Sequence, residues 1–169
     1  MPDLLFLTPE HDLQQQFDAA RPGTHIHLSC GAYRQKVLIR TPGLTIEGED
    51  MHKTVIVWDD YANKLDENGV EYNTFRTWTV AVCAPHITMR NLTVRNDALQ
   101  PETKGQEVAL SVLGDDFRMV HCRLSSTQDT LFAGPLPADL IQRYQEERAS
   151  LNAEIDRVLA EITALLGGR

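Results

Sequence analysis

Two amides and a carboxylate carry the chemistry most readily read from this sequence. Gln128 and Asp129 sit side by side in a polar run, Ser125-Ser126-Thr127-Gln128-Asp129-Thr130, between Leu124 and Leu131-Phe132. Gln106 lies upstream, in Lys104-Gly105-Gln106-Glu107, just ahead of the apolar stretch Val108–Leu113. Amide N–H groups can donate to an oxyanion as it develops. A carboxyl group can pass a proton to a leaving group and take one back. Stacking ladders and turn capping are the competing uses of Gln and Asp in such a chain. The β-compatible Thr residues and tight apolar flanks predict that the polar run is a strand with one solvent-facing side.

Whether these groups meet depends on the elements that hold them. From about residue 24 to 135 the chain is a series of short β-rich runs, each stopped by Gly, Asp, Asn or Pro. The runs repeat. Val82, Ile87, Met89, Leu92 and Val94 recur at the same relative spacing as Val112, Phe117, Met119, Cys122 and Leu124. Leu44-Thr45-Ile46 has the same apolar-polar-apolar start as Ile87-Thr88-Met89. A period of this order made of short strands predicts stacked units that cannot each bury a core alone. Helices do not alternate with the strands, which disfavours a doubly wound sheet. Periodicity by itself leaves a solenoid and an antiparallel sandwich level. In a solenoid, residues one coil apart become neighbours, and the interval from Gln106 to Gln128 is a reasonable single coil. Ahead of the strands, Glu10 to Ala20 reads as a short amphipathic helix with Leu13, Phe17 and Ala20 on one side.

After Pro137 the period changes. Residues 138–166 contain no Gly or Pro, and Ile141, Tyr144, Leu151, Ile155, Val158, Ile162 and Leu165 fit a heptad repeat broken only at Arg148. That distribution suits a two-stranded coiled coil, and so a homodimer through this helix. Leu159 and Leu166 widen the stripe, which suits a helix folded back on its own domain or covering an open solenoid end. Gly167-Gly168 ends the helix.

Composition excludes several classes. With 16 basic against 24 acidic residues and a net charge of −8, the chain has no basic surface for nucleic acid or anionic membranes. No run approaches a membrane span, and Leu4-Leu5-Phe6-Leu7 is too short for a signal-peptide core. Cys30, Cys83 and Cys122 lack zinc-like spacing and read as buried thiols, so a reduced cytoplasmic setting is expected. His25, His27, His86 and His121 form no metal-ligand constellation and read as structural or surface residues.

The ordered motifs resemble those of the pectinesterases. Gly31-Ala32-Tyr33-Arg34-Gln35 resembles the family's Gly-x-Tyr-x-Glu, with Gln35 in place of the acid. Thr74-Phe75-Arg76-Thr77-Trp78-Thr79 is similar to Thr-Phe-x-Ser-Ala-Thr, and Asn91-Leu92-Thr93-Val94-Arg95-Asn96 to the coil that follows. Gln106-Glu107-Val108-Ala109-Leu110 resembles Gln-Ala-Val-Ala-Leu. Gln128-Asp129-Thr130-Leu131-Phe132 is close to Gln-Asp-Thr-Leu-Tyr. Order and spacing agree over about residues 10–137.

The resemblance implies an all-β fold: a right-handed parallel β-helix over residues 1–137, truncated and followed by a C-terminal α-helical segment over residues 138–169. It implies hydrolysis of the methyl esters of pectin or oligogalacturonides by two aspartates, with no metal and no cofactor. Asp129 would be the acid/base, Gln106 and Gln128 would hold the oxyanion, and Thr74 would contact substrate. The acid/base role calls for a pKa tuned toward the working pH, which a neighbouring carboxylate can supply. The nucleophile belongs to an Asp-Phe-Ile-Phe-Gly motif and an Arg to a Gly-Arg-Pro-Trp motif; neither occurs here. The departure falls near Gln145, and the only aspartates after Asp129, Asp139 and Asp156, both have helical contexts. Three expectations follow: a shortened pectinesterase of low or no activity alone, a non-catalytic carbohydrate-binding module, or a helix-mediated assembly component.

Overall fold

The computed structural model describes residues 3–98 and 105–134, together with Arg157. The chain divides into two compact units, Met1–Gly134 and Pro135–Arg169. The expected helix over 138–166, with its end-capping and pairing roles, therefore lies outside the described residues apart from Arg157, which is helical and exposed.

The first unit is a parallel β-helix. Its strands are β1 (Leu4–Leu7), β2 (His25–Leu28), β3 (Gly31–Arg34), β4 (Val37–Ile39), β5 (Thr45–Gly48), β6 (Thr54–Trp58) and β7 (Val80–Val82). They continue as β8 (Thr88–Arg90), β9 (Thr93–Asn96), β10 (Leu110–Val112), β11 (Arg118–Val120), β12 (Arg123–Ser125) and β13 (Leu131–Ala133). Three sheets result, ordered β1-β2-β5-β8-β11, β3-β6-β9-β12 and β4-β7-β10-β13; they are called A, B and C below. All pairings between these strands are parallel. An isolated antiparallel bridge, Leu65–Glu71, sits in a loop. The sandwich reading is thereby excluded, because every strand lies over the corresponding strand of the next coil. The sequence repeat is the register itself: Val82 pairs with Val112, Met89 with Met119 and Val94 with Leu124.

Alternation along each strand fills the interior. Ile26, Ile46 and Met89 stack in one column and are fully buried. Met119 continues the column and is half-buried, as is Phe117, because both lie on the last described coil. The predicted helix forms as α1 (Leu13–Ala19), with Leu13 and Phe17 in the core. Asp12 caps it by accepting the Gln15 N–H at 2.9 Å. Gln35 also serves this helix: its Oε1 accepts the Leu13 N–H at 2.7 Å, and its Nε2 donates to the His11 carbonyl at 2.7 Å. An ionised glutamate at position 35 could make only the first of these bonds.

Two regions depart from expectation. Gly31–Arg34 is a strand, although only Tyr33 faces inward; that ring is fully buried and its hydroxyl reaches the Leu7 and Ser29 carbonyls at 3.0 and 3.1 Å. The polar run from Ser126 to Thr130 is a turn between β12 and β13, not a strand. Its backbone is drawn onto Glu107, as described below.

Stacking leaves no space at Gly48. A Cβ there would collide with the Asn91 carbonyl oxygen and with Leu92 and Thr54, two of which belong to the coil above. Gly48→Ala is expected to cost about 1–3 kcal/mol through overpacking. Urea unfolding should show a lower midpoint with an unchanged slope.

Candidate functional site

Each coil must turn between sheet B and sheet C, and every candidate site residue lies in this row of turns. The first turn is short, Gln35-Lys36. The second runs over residues 59–79, the third over 97–109 and the fourth over 126–130.

Thr74 opens a single 3-10 turn, Thr74–Arg76, whose start is fixed by the Asn73 side chain accepting the Phe75 N–H at 3.0 Å. Its hydroxyl donates to Gln106 Oε1 at 3.3 Å. Backbone bonds reinforce this meeting of the second and third turns. The Ala62 N–H donates to the Gln106 carbonyl, and the Asn73 N–H to the Ala62 carbonyl, both at 2.9 Å. With Oε1 accepting from Thr74, the Gln106 amide nitrogen is left to donate elsewhere.

Gln128 and Asp129 occupy the fourth turn and are exposed. Asp129 has φ of 52°, a left-handed conformation that Asp tolerates better than most residues. Glu107, fully buried beside Gln106, pins this turn. One of its carboxylate oxygens accepts the Thr127 N–H at 2.7 Å and the Thr127 hydroxyl as well. The Ser126 hydroxyl lies 2.9 Å from the Glu107 carbonyl and 3.0 Å from that of Gln128. The structure thus joins Thr74 directly to Gln106, and joins Gln106 to the Gln128-Asp129 turn through Glu107. Among the described residues no hydrogen bond links the two glutamine amides directly. Phe75 and Phe132 meet edge to face beside the site, with ring centroids 5.5 Å apart and planes at 83°.

Reasoning from sequence missed two supporting residues. One is Glu107; the other is Asn96, which is only 2% exposed. The Asn96 amide nitrogen lies 2.8, 2.9 and 3.2 Å from the carbonyls of Asp60, Thr77 and Val108. Its Oδ1 accepts the Ala98 N–H at 3.1 Å. A strand-ending Asn and an acid entering an apolar run were the available signals.

The base of the second turn is also charged and buried. Asp60, 1% exposed, accepts hydrogen bonds from Lys36 and Lys64, each at 2.6 Å. Lys36 also lies over the rings of Tyr72 and Trp78, at 4.8 and 4.6 Å from their centroids. Burial works to raise the Asp60 pKa, but the hydrogen bonds and charges of the two lysines outweigh it and hold the carboxyl below its ordinary range.

The comparisons with known proteins agree with this architecture. Residues 7–160 match the family described as Pectinesterase. The chain belongs to the pectinesterase family. The match runs past Gln145, where the recognisable motifs end. Pectinesterase 31 of Arabidopsis thaliana is 34% identical over 149 residues, covering 85% of this chain and 44% of the relative. Pectinesterase QRT1, also of Arabidopsis thaliana, is 36% identical over 116 residues, 63% of this chain and 30% of the relative. The pectin methylesterase from Yersinia enterocolitica superposes with a TM-score of 0.68 at 28% identity, covering 73% of this chain and 44% of that one. The chain therefore spans less than half the length of these relatives. The candidate residues Thr74, Gln106, Gln128 and Asp129 lie among the turns of this β-helix. Among the described residues no group of three or more His, Cys, Asp or Glu is placed to hold a metal, and no helix is long and apolar enough to cross a membrane.

A carboxyl held below its ordinary pKa stabilises the fold above its unfolded value and loses that contribution as pH falls through the folded value. The ordinary value for Asp60 is 3.8, so the loss should begin near there and continue below it. Asp60→Asn should be less stable than the wild type at neutral pH. The gap between the two should narrow as thermal unfolding is repeated at successively lower pH below that value.

Proposed function

We propose that this pectinesterase-family chain binds methyl-esterified polygalacturonate along the row of turns between sheets B and C. There it supplies the acid/base and oxyanion-binding half of an ester-hydrolysing site. The observation that carries the reading is the Thr74–Gln106 hydrogen bond together with the Glu107 clamp, which gathers three successive turns around one place. A pectin methylesterase solved with a hexasaccharide, 26% identical, superposes with a TM-score of 0.64 over 68% of this chain and 38% of that one. This supports a saccharide as the ligand class.

In this reading the ester carbonyl oxygen faces the amide N–H donors of Gln106 and Gln128, whose bonds strengthen as negative charge develops on that oxygen. Asp129 donates a proton to the departing methoxide, releasing methanol, and then accepts one from water. Thr74 holds the Gln106 amide in the orientation that points its nitrogen outward, and lines the substrate path. The attacking carboxylate is the missing partner: these 169 residues contain no Asp-Phe-Ile-Phe-Gly motif and no Gly-Arg-Pro-Trp motif. A covalent step without its nucleophile loses orders of magnitude in rate. The chain on its own is accordingly a weak or inactive esterase that retains saccharide binding.

Methanol release from highly esterified pectin tests this directly. The isolated chain should turn over at least about a thousandfold more slowly than a complete family enzyme. It should still be retained on immobilised esterified pectin, and Gln106→Ala should weaken that retention. Release at a family-like rate, abolished by Asp129→Asn, would show that the chain contains its own nucleophile and overturn the half-site reading.

A further inference from the structure

The first strand of sheet A carries a surface that the ester chemistry does not use. Among the described residues β1 pairs only with β2, so its other edge faces away from the stack. In a strand the N–H and C=O of one residue point to the same side, and successive residues alternate. The His25 N–H donates to the Asp3 carbonyl at 2.8 Å, and the Ser29 N–H to the Leu7 carbonyl at 2.9 Å. Asp3, Leu5 and Leu7 therefore face β2, while Leu4 and Phe6 turn both backbone groups to the free edge. Their side chains are also the exposed ones of the strand, at 57% and 65%. The usual devices that blunt an edge are missing: β1 reads Leu-Leu-Phe-Leu, with no charge and no proline. The Phe6 ring is braced from the β2 side by His27, their centroids 5.5 Å apart.

A row of alternating donors and acceptors is matched by another extended backbone. A second copy of β1 matches it in one antiparallel register. With Leu4 opposite Phe6 of the copy, and Phe6 opposite its Leu4, every free N–H and C=O of these residues is used. Setting Leu4 against Leu4 would bring Phe6 to the level of Pro2, which has no N–H. Setting Phe6 against Phe6 would bring Leu4 to Thr8, whose N–H is already given to His11 Nδ1 at 3.1 Å. The matching register also lays Leu4 beside Phe6 on the outer face, an aliphatic–aromatic cross-strand pair. On the inner face Leu5 meets Leu5. A concavity of about 240 Å³ opens there beside the last turn of α1, with Leu5, Gln16, Ala19 and Ala20 among its walls. Charge selects the same direction. Arg21, 3.7 Å from Asp3, stands at the start of β1, and the exposed Glu10 and Asp12 stand beyond its end. An antiparallel copy brings each Arg21 to the acidic end of the other, whereas a parallel copy would bring acid to acid.

We infer that the free edge of β1 is a self-association surface, at which two copies of this chain join antiparallel about a two-fold axis and make sheet A continuous across both. The interface is isologous, the same Leu4–Phe6 patch serving on each side. It is small, so the association is weak and follows concentration. β1 lies at the opposite end of the stack from β12 and β13, which flank the Gln128-Asp129 turn. Pairing therefore leaves that turn uncovered, and the inference does not depend on the proposed function.

Analytical ultracentrifugation of the full chain tests this. Its mean mass should rise from monomer toward dimer between about 1 and 100 μM. Phe6→Lys places a charge on the edge and should raise the dissociation constant at least about tenfold. Leu4→Pro removes an N–H that points to the free edge and spares the ladder to β2. It should keep the thermal unfolding of the parent chain and lose the dimer. Amide hydrogen exchange in the unaltered chain gives a readout independent of any variant's folding. The Leu4 and Phe6 amides should exchange more slowly as concentration rises. A chain that stays monomeric across the range overturns the inference. So does a dimer in which those two amides stay unprotected, the result that pairing through residues 138–166 would give. A dimer unchanged by both Phe6→Lys and Leu4→Pro overturns it as well.

Discussion

The parallel backbone ladder between coils is the constraint on which everything else depends. A short strand here has no partner within its own coil, so its N–H and C=O groups are satisfied only by the coils above and below. That requirement fixes the register, and the register fixes the side chains. Val37, Val80 and Leu110 must superpose, as must Ile46 and Met89, so these interior columns are apolar. Close stacking also explains why residue size matters where coils turn, as at Gly48 beneath Asn91 and Leu92. The same ladder brings residues far apart in sequence to neighbouring levels of one turn row.

A rigid ladder positions only the ends of each turn; the turns themselves need internal ties. Three largely buried polar residues provide them. Asn96 binds the backbones of the second and third turns, Glu107 binds the third to the fourth, and Asp60 draws Lys36 of the first turn toward Lys64 of the second. Each would be costly to bury unpaired, and each is engaged by several partners. The arrangement is brittle, since removing one partner leaves a buried group unsatisfied. Thr74 and Gln106 meet across two of these tied turns. The geometry of the Thr74–Gln106 contact therefore depends on buried polar residues elsewhere in these turns.

The repeating core was legible because it is written in a period. Val82 to Val94 recurring as Val112 to Leu124 translates directly into paired strands, and Leu13 and Phe17 mark the inner face of α1. The placement of Gln106, Gln128 and Asp129 between strands was legible as well, because they flank strands that the pattern identifies. Strand β3 was harder to read, since a single tyrosine supplies its buried face. The turn at 126–130 was read as strand because its Thr residues suit one locally, while the group that bends it, Glu107, is remote in the chain. Asn96 was hidden for the same reason: its acceptors at Asp60, Thr77 and Val108 are distant in sequence and become neighbours only through the stack. Periodic burial is a local signal, whereas satisfaction of a buried polar group is not.

The unequal lengths of the coils give a reason, independent of any relative, for chemistry to collect between sheets B and C. Along sheet C the residues Val37, Val80, Leu110 and Leu131 stand directly over one another, yet the stretch of chain between successive members shortens steadily from first to last. The turns from A to B stay short. Two of them, between β8 and β9 and between β11 and β12, use left-handed residues at equivalent positions, Asn91 and His121, with φ of 51° at both. The surplus therefore falls mainly in the B-to-C turns. A solenoid can lengthen a turn without disturbing its ladder, because each turn leaves and re-enters at fixed strand ends. Loops held by a rigid scaffold are where binding groups accumulate. Here the two longest turns lie over consecutive coils, and they contribute Thr74, Tyr61 and Lys64 from one and Asp97 and Gln106 from the other. Side chains on these turns stand at successive levels of one row, whereas a single loop would present only one level. The ladder sets the spacing of the turns, and that spacing sets which side chains of successive turns can act together.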